Sequence, residues 1–320
     1  MESNSSYEKL NRRSSTTNGR DIVHDAEDIQ IPVPWGHISG KWWGPKDEQP
    51  IICLHGWQDN AGSFDSIAPL LSSKKALLAI DLPGHGFSSH YPDGVFYYVF
   101  WDGLILLRRV VKHYKWDKIT ILGHSLGGAI GFLYAAAYPD EVDALISIDI
   151  ATPSARDPTR TVGASGDHID RFLKYENLTP DNVPCYEYEE MINIVEDGYK
   201  GSITRRSAEI LMIRGMQPAP TPGRHYFSRD PRLKTSMLGM LSMDLVLSYA
   251  SQIKCSYLNI RAVPGLKFDN PENYGKVLDK IKETSRRFEY REVEGSHHVH
   301  LNEPEKVAPI IEEFFKNKEK

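Results

Sequence analysis

The sequence predicts an α/β protein with a mostly parallel sheet flanked by helices, and three observations support that prediction. Short apolar runs recur from Ile31 onward, segments with helical spacing separate them, and one run, Lys118 to Leu122, leads straight into Gly123-His124-Ser125-Leu126-Gly127-Gly128. Strands joined by crossover helices produce such an alternation. The glycine-flanked serine marks a sharp turn from strand to helix, because side chains two positions either side would collide across it.

Met1 to about Arg20 is rich in Ser, Asn, Thr and charge and nearly free of apolar residues. It cannot bury enough surface to offset the entropy of ordering, so 1–20 is expected to be a disordered tail. Within it, Arg12-Arg13-Ser14-Ser15 reads as a solvated basic pair in preference to a phosphorylation site. The expected strands are His37–Trp43, Ile51–His55, Ala76–Asp81, Lys118–Gly123, Ala144–Asp149, Ser256–Arg261 and Phe288–Val293. Between them, Phe100, Leu104, Leu107 and Val111 share a helical face, as do Val307, Ile310, Ile311 and Phe314 near the end. Pro309 inside the second pattern predicts a kink or a later start. The regularity fails between Pro153 and about Ser251, where helical stretches such as Ser202–Ile213 recur without obvious strands and Gln217 to Gly223 is dense in Pro and Gly. A loop that long inside a compact domain needs structure of its own, so 153–251 is expected to be a mainly helical lid dividing a core of 21–152 and 252–320.

At 320 residues and a net charge of -5 spread along the chain, there is no electrostatic footprint for nucleic acid or an anionic membrane. Cys53, Cys185 and Cys255 are few, scattered and without CxxC spacing, which argues against a disulfide framework or a zinc site and for reduced, buried thiols. The most apolar stretch, Val95–Leu107, is cut by Asp102 and Gly103 and is too short to span a bilayer. With no charged-then-apolar leader at its start, the chain is expected to be intracellular, in the cytoplasm.

A serine hydroxyl is a weak nucleophile and needs a base within hydrogen-bond reach and an acid to orient that base. In an elbow architecture the order along the chain is serine, acid, histidine. After the last expected strand comes Gly295-Ser296-His297-His298-Val299-His300, and His297 is the chosen base because it comes first after the strand-ending glycine. Two carboxylates compete for the third place. Asp149 ends the strand after the elbow helix, and Asp269 lies in the loop after Ser256–Arg261. Asp149 is preferred. An oxyanion would need two backbone N–H donors, expected from Leu126 at the start of the elbow helix and from Trp57 in the turn His55-Gly56-Trp57-Gln58-Asp59-Asn60. No metal or cofactor is called for. A zinc site at His297 and His300 lacks further ligands.

His55-Gly56-Trp57, Asp81-Leu82-Pro83-Gly84-His85-Gly86, Gly123 to Gly128 and Gly295-Ser296-His297 stand in order, and from about residue 30 to the end the chain resembles the α/β-hydrolase superfamily. More narrowly, Val33 to Ile38, Cys53 to Asn60 and Gly84 to Tyr91 resemble the serine hydrolase-like (kraken) group. The resemblance implies an eight-stranded sheet, a helical lid and hydrolase activity. It also exposes a departure. Many members carry the acid shortly after the penultimate strand, where this chain reads Ala262-Val263-Pro264-Gly265, and some branches take it from the strand after the elbow helix instead. That favours Asp149 over Asp269.

The expected activity is cofactor-free hydrolysis of a carboxylic ester or thioester on a small-molecule acyl substrate, through an acyl-enzyme intermediate. The alternative is a non-catalytic ligand-binding or receptor-like protein of the same fold, which has no chemical need for serine, base and oxyanion turn together. Specificity is expected to reside in 153–251, with Phe172, Tyr175, Tyr186, Tyr188 and Met191 either lining the substrate site or packing the lid onto the core.

Overall fold

An eight-stranded sheet with strand order β1-β2-β4-β3-β5-β6-β10-β11 organises the chain in a computed structural model that describes residues 26–72, 75–155, 157–179, 182–235, 239–265 and 270–317. The tail 1–20 and Asp269 therefore lie outside the described residues. The first part of the chain supplies β1 (Glu27–Val33), β2 (Gly36–Trp43), β3 (Ile51–Leu54), α1 (Ala68–Leu71), β4 (Leu77–Ile80), α2 (Val99–Tyr114), β5 (Ile119–His124), α3 (Leu126–Ala137) and β6 (Val142–Ile148). The last part supplies β10 (Ser256–Pro264), α8 (Pro271–Thr284), β11 (Arg287–Gly295), α9 (Val299–Asn302) and α10 (Pro304–Lys316). Between β6 and β10 lie α4 (Pro158–Tyr175), β7 (Tyr186–Glu187), α5 (Tyr188–Gly198), α6 (Arg205–Gly215), β8 (Met216–Pro218), β9 (Arg224–Phe227) and α7 (Met243–Ala250).

All seven expected strands are present, and β1 makes the eighth. β2 pairs antiparallel with β1 and β4, and every other pairing in this sheet is parallel. Alternate residues of each strand face opposite layers. Ile52, Leu54, Leu78, Ile80 and Ile121 pack beneath α2, α3, α7 and α8, while Ile51, Cys53, Leu77, Ala79 and Leu122 pack against α1 and α10. Gly103 lets α2 lie directly on α3, since a Cβ there would come within 2.2 Å of Ile130 Cδ1.

Two expectations need correcting. α10 runs unbroken through Pro309, which sits on its exposed face where the lost N–H bond costs least. Beside its helices, the segment between β6 and β10 carries a small antiparallel sheet of β7, β9 and β8, with Pro220 to Gly223 as the turn of its hairpin. Cys185 is only half-buried, although Cys53 and Cys255 are buried and all three thiols are free. α5 and α6 close around a core of their own, with Met191, Ile192, Val195, Ala208, Leu211 and Met212 packed on Leu301. Met191 thus packs the segment together. α4 differs, for Phe172 is its one buried side chain. No helix among the described residues is long and apolar enough to cross a membrane.

Candidate active site

The loops that leave the C-terminal ends of β3, β4, β5, β6 and β11 converge on Ser125, as ligand-binding loops do in open parallel sheets. Ser125 joins β5 to α3 with φ 50° and ψ −119°, a conformation that costs an L-residue free energy and persists only when its surroundings impose it. The glycines around it impose it. A Cβ on Gly123 would lie 2.4 Å from Gly128 N, and one on Gly127 would lie 1.9 Å from the carbonyl oxygen of Leu54. Within the turn, Ser125 N–H donates to Ile148 O at 3.1 Å, tying the elbow to β6. The Leu126 N–H opens α3, where the first amides have no carbonyl within their own helix.

Asp149 follows β6 directly and holds φ 51°. Its N–H donates to Ile260 O at 2.7 Å, its Oδ1 accepts the Ala262 N–H at 2.9 Å, and its Oδ2 meets His297 Nδ1 at 2.6 Å. The Ala262-Val263-Pro264-Gly265 stretch thus holds the Asp149 carboxylate through a backbone N–H and supplies no carboxylate itself. A Cβ at Gly265 would crowd the Asp149 carboxylate at 2.8 Å. His297 is buried, and burial holds its pKa below the ordinary histidine value while the Asp149 carboxylate pulls the other way.

The turn after β3 is built by histidines. His55 Nδ1–H donates to Gly56 O at 2.7 Å and its Nε2 accepts the Leu82 N–H at 3.0 Å. His85 repeats the arrangement, with Nδ1–H on Pro83 O at 3.0 Å and Nε2 accepting the Gln58 N–H at 3.2 Å. A carbonyl can only accept and an amide can only donate, so these partners fix both rings as the neutral Nδ1–H tautomer. The turn carrying Trp57 then closes through Asp59 N–H to Gly56 O at 3.1 Å, and the Trp57 indole donates to Leu233 O at 3.1 Å. Gly56 lets this turn approach the elbow, since a Cβ there would lie 3.1 Å from His124 Nδ1.

Sequence reasoning missed a second polar layer beneath the site. His124 Nε2–H donates to the His297 carbonyl at 2.9 Å, and its Nδ1 has no hydrogen-bond partner, with Asp59 Oδ2 3.7 Å away. Asp59 accepts from Tyr199 Oη at 2.5 Å and faces His298 Nε2 at 3.2 Å, and His298 Nδ1 meets Ser202 Oγ at 2.7 Å. Against burial, which acts to raise it, His298 and His124 hold the Asp59 carboxyl well below its usual range. Asp59, His124 and His298 place donor atoms within 4.8 Å of one another and are the group among the described residues that could together hold a metal ion. Hydrogen bonds already engage Asp59 and His298, and the group reads as a network that fixes the His297 backbone. His300, the third histidine of the run, binds Ser63 Oγ at 2.7 Å instead. The signal for this layer was present in the histidine run, but its partners Tyr199 and Ser202 come from the segment between β6 and β10, which spacing could not connect to it.

Asp81 anchors that segment. Its buried carboxylate accepts Ala61 N–H at 2.7 Å, Phe87 N–H at 3.0 Å and Arg214 Nη2 at 2.7 Å, and Arg214 of α6 also reaches Asp28 and Ser39. Gly86, with φ 53°, makes room, since a Cβ there would lie 2.3 Å from that carboxylate.

Fold and site together define a hydrolase of the α/β class, and comparison with known proteins agrees. Residues 49–170 match the alpha/beta hydrolase fold family. A hypothetical protein of Pseudomonas aeruginosa superposes with a TM-score of 0.79 at 29% identity, over 91% of this chain and 99% of that one. A "Probable serine hydrolase" of Drosophila melanogaster is 51% identical over 290 residues, 91% of this chain and 88% of that protein. A "Serine hydrolase-like protein" of Danio rerio is 35% identical over 90% of this chain and 88% of its own length. The chain belongs to the serine hydrolase-like family of α/β hydrolases.

Proposed function

We propose that the protein hydrolyses a carboxylic ester or thioester of a small acyl substrate through a covalent acyl-enzyme, with Ser125 as nucleophile, His297 as general base and acid, and Asp149 as the group that orients His297. The observation that carries this reading is the buried 2.6 Å contact between His297 Nδ1 and Asp149 Oδ2, tied to the strained Ser125 by the Ser125 N–H on Ile148 O next to Asp149 and by His124 on the His297 carbonyl. Asp149 fixes the tautomer in which His297 Nε2 is free to accept a proton. As Ser125 Oγ bonds to the acyl carbon, that proton passes to Nε2, and the carbonyl oxygen becomes an anion between the Trp57 and Leu126 N–H groups. Collapse of this intermediate breaks the bond to the alcohol or thiol, which leaves with the proton from His297. Water, deprotonated by the same ring, then releases the acid and restores Ser125. Residues 153–251 form the lid in this reading and select which acyl group enters.

The test is Ser125→Ala. The wild-type protein should take a covalent fluorophosphonate label and hydrolyse p-nitrophenyl esters, and the variant should do neither. Labelling or hydrolysis that survives the substitution overturns the assignment.

A further inference from the structure

Buried guanidinium groups in this fold are paired. Arg214 binds Asp81 and Asp28, and Arg232 binds Asp230 as well as the carbonyls of Tyr91, Pro92 and Val95. Arg229, which is half-buried, has no such partner among the described residues. Its Nε is buried with no hydrogen-bond partner, and no described carboxylate forms an ion pair with it. Its one described contact of note is the face of Phe227, 4.0 Å from guanidinium carbon to ring centroid. A cation partly withdrawn from water with no carboxylate in contact loses hydration, and one aromatic face offsets only part of that loss. Burial accordingly lowers the Arg229 pKa.

Arg229 lines a cavity of about 450 Å³ between the loop after β4, the end of α4 and the β8–β9 hairpin. A second cation stands close by. Lys234 Nζ lies over the ring of Tyr175, a residue of the same cavity wall, at 5.4 Å, and no described carboxylate pairs with it either. Lys234 is exposed, and partial burial followed by the like charge of Arg229 lowers its pKa. Asp93 and Glu176 also line the cavity, Asp93 at its exposed rim, yet neither pairs with Arg229. None of Ser125, Trp57, Leu126 and His297 lines this cavity, and one hydrogen bond ties its surroundings to the site: Trp57 donates to Leu233, next to Lys234, while Tyr199 and Asp59 of the layer beneath Ser125 act electrostatically on Arg229.

We propose that Arg229, with Lys234 beside it, seats a carboxylate or phosphate carried by the acyl substrate at the end remote from the scissile carbonyl. The inference rests on the serine hydrolase reading and narrows it to anionic acyl esters. A planar fork of N–H donors suits a two-oxygen anion, and the substrate then supplies the counter-ion that the fold leaves out. A charged hydrogen-bonded contact of this kind corresponds to a preference on the order of 10- to 100-fold.

The experiment compares kcat/KM for the mono-p-nitrophenyl esters of succinic, glutaric and adipic acids with neutral p-nitrophenyl esters of equal chain length. The wild-type protein should favour at least one anionic ester about 10-fold or more. Arg229→Met should bring that ratio near unity, Lys234→Met should lower it in part, and Arg229→Lys should retain some of it. Fluorophosphonate labelling of Ser125 and the melting temperature report whether each variant has kept its site and fold. A wild-type ratio near unity, or a ratio unchanged in Arg229→Met, overturns the proposal. If the wild-type protein neither labels nor hydrolyses, the serine hydrolase reading has failed. Binding then decides the anion site separately: glutarate or inorganic phosphate should raise the melting temperature of the wild type and not of Arg229→Met, and equal shifts refute it.

Discussion

Lowering the pH from 7 to 5 is expected to remove much of the stability of this fold. His55, His85, His124, His297 and His300 are buried, and burial is the first cause holding each pKa below the ordinary histidine value. The geometry gives a reason at His55 and His85, where a proton on Nε2 would set one N–H against another. The unfolded chain takes up these protons near pH 6.5, whereas folded His85 and His124 are pushed down to about 3. Across this window the unfolded state binds more protons, so stability falls as pH falls. A site displaced by that much loses about 2 kcal/mol between pH 7 and pH 5, or about 4 kcal/mol for the pair. Asp102, raised to about 6 by burial, works the other way, because its folded form takes a proton first; it returns roughly 1 kcal/mol. The net loss is about 3 kcal/mol before the other three histidines add theirs, against a total of about 5–15 kcal/mol for an ordinary domain. Urea unfolding followed by circular dichroism at pH 7, 6 and 5 measures it. A change under about 1 kcal/mol would refute the neutral-histidine reasoning.

Asp149→Asn should lower kcat by roughly 10³- to 10⁴-fold while Ser125 stays in place, since the amide favours the wrong tautomer of His297; near-normal turnover would remove Asp149 from the mechanism. Because His297 must be neutral to act as base and its pKa is lowered, the acid limb of kcat/KM should fall below pH 6.5, and a midpoint above 7 would contradict it. Arg214→Met leaves the buried Asp81 carboxylate without its guanidinium and should cost about 3–5 kcal/mol in urea unfolding, whereas a loss under about 1 kcal/mol would show that the pair is dispensable.

Much of the architecture was legible because its requirements are local. Gly123 and Gly127 betray the elbow through a steric rule that involves neighbouring residues, and the inner parallel strands β3, β4, β5 and β6 are near-continuous apolar runs because both faces are covered. β1 was missed although Ile29, Ile31 and Val33 alternate, because it is an edge strand with Pro32 in it and Ile31 as its one buried side chain. β7, β8 and β9 are two to four residues long, too short for periodicity to register. At the site, chain order pointed to His297, and the preference for Asp149 over Asp269 came from the resemblance together with the missing carboxylate at Ala262 to Gly265. The separate duties of His298 and His300 were not legible, because neighbouring positions in one loop differ only in which distant side chains they meet.

The segment between β6 and β10 divides by how it is held. α5 and α6 are fastened to the sheet by Arg214 on Asp81, by Asn60 Nδ2 on the Leu211 carbonyl at 2.8 Å and by Ser296 on the Ser202 carbonyl at 2.7 Å, whereas α4 rests on Phe172 against Phe96. Mutational tolerance should divide along the same line. Substitutions on the exposed face of α4 can drift at little risk to folding, while changes in α5 and α6 reach the sheet itself, so under the proposed lid role new substrate preferences should arise first in α4.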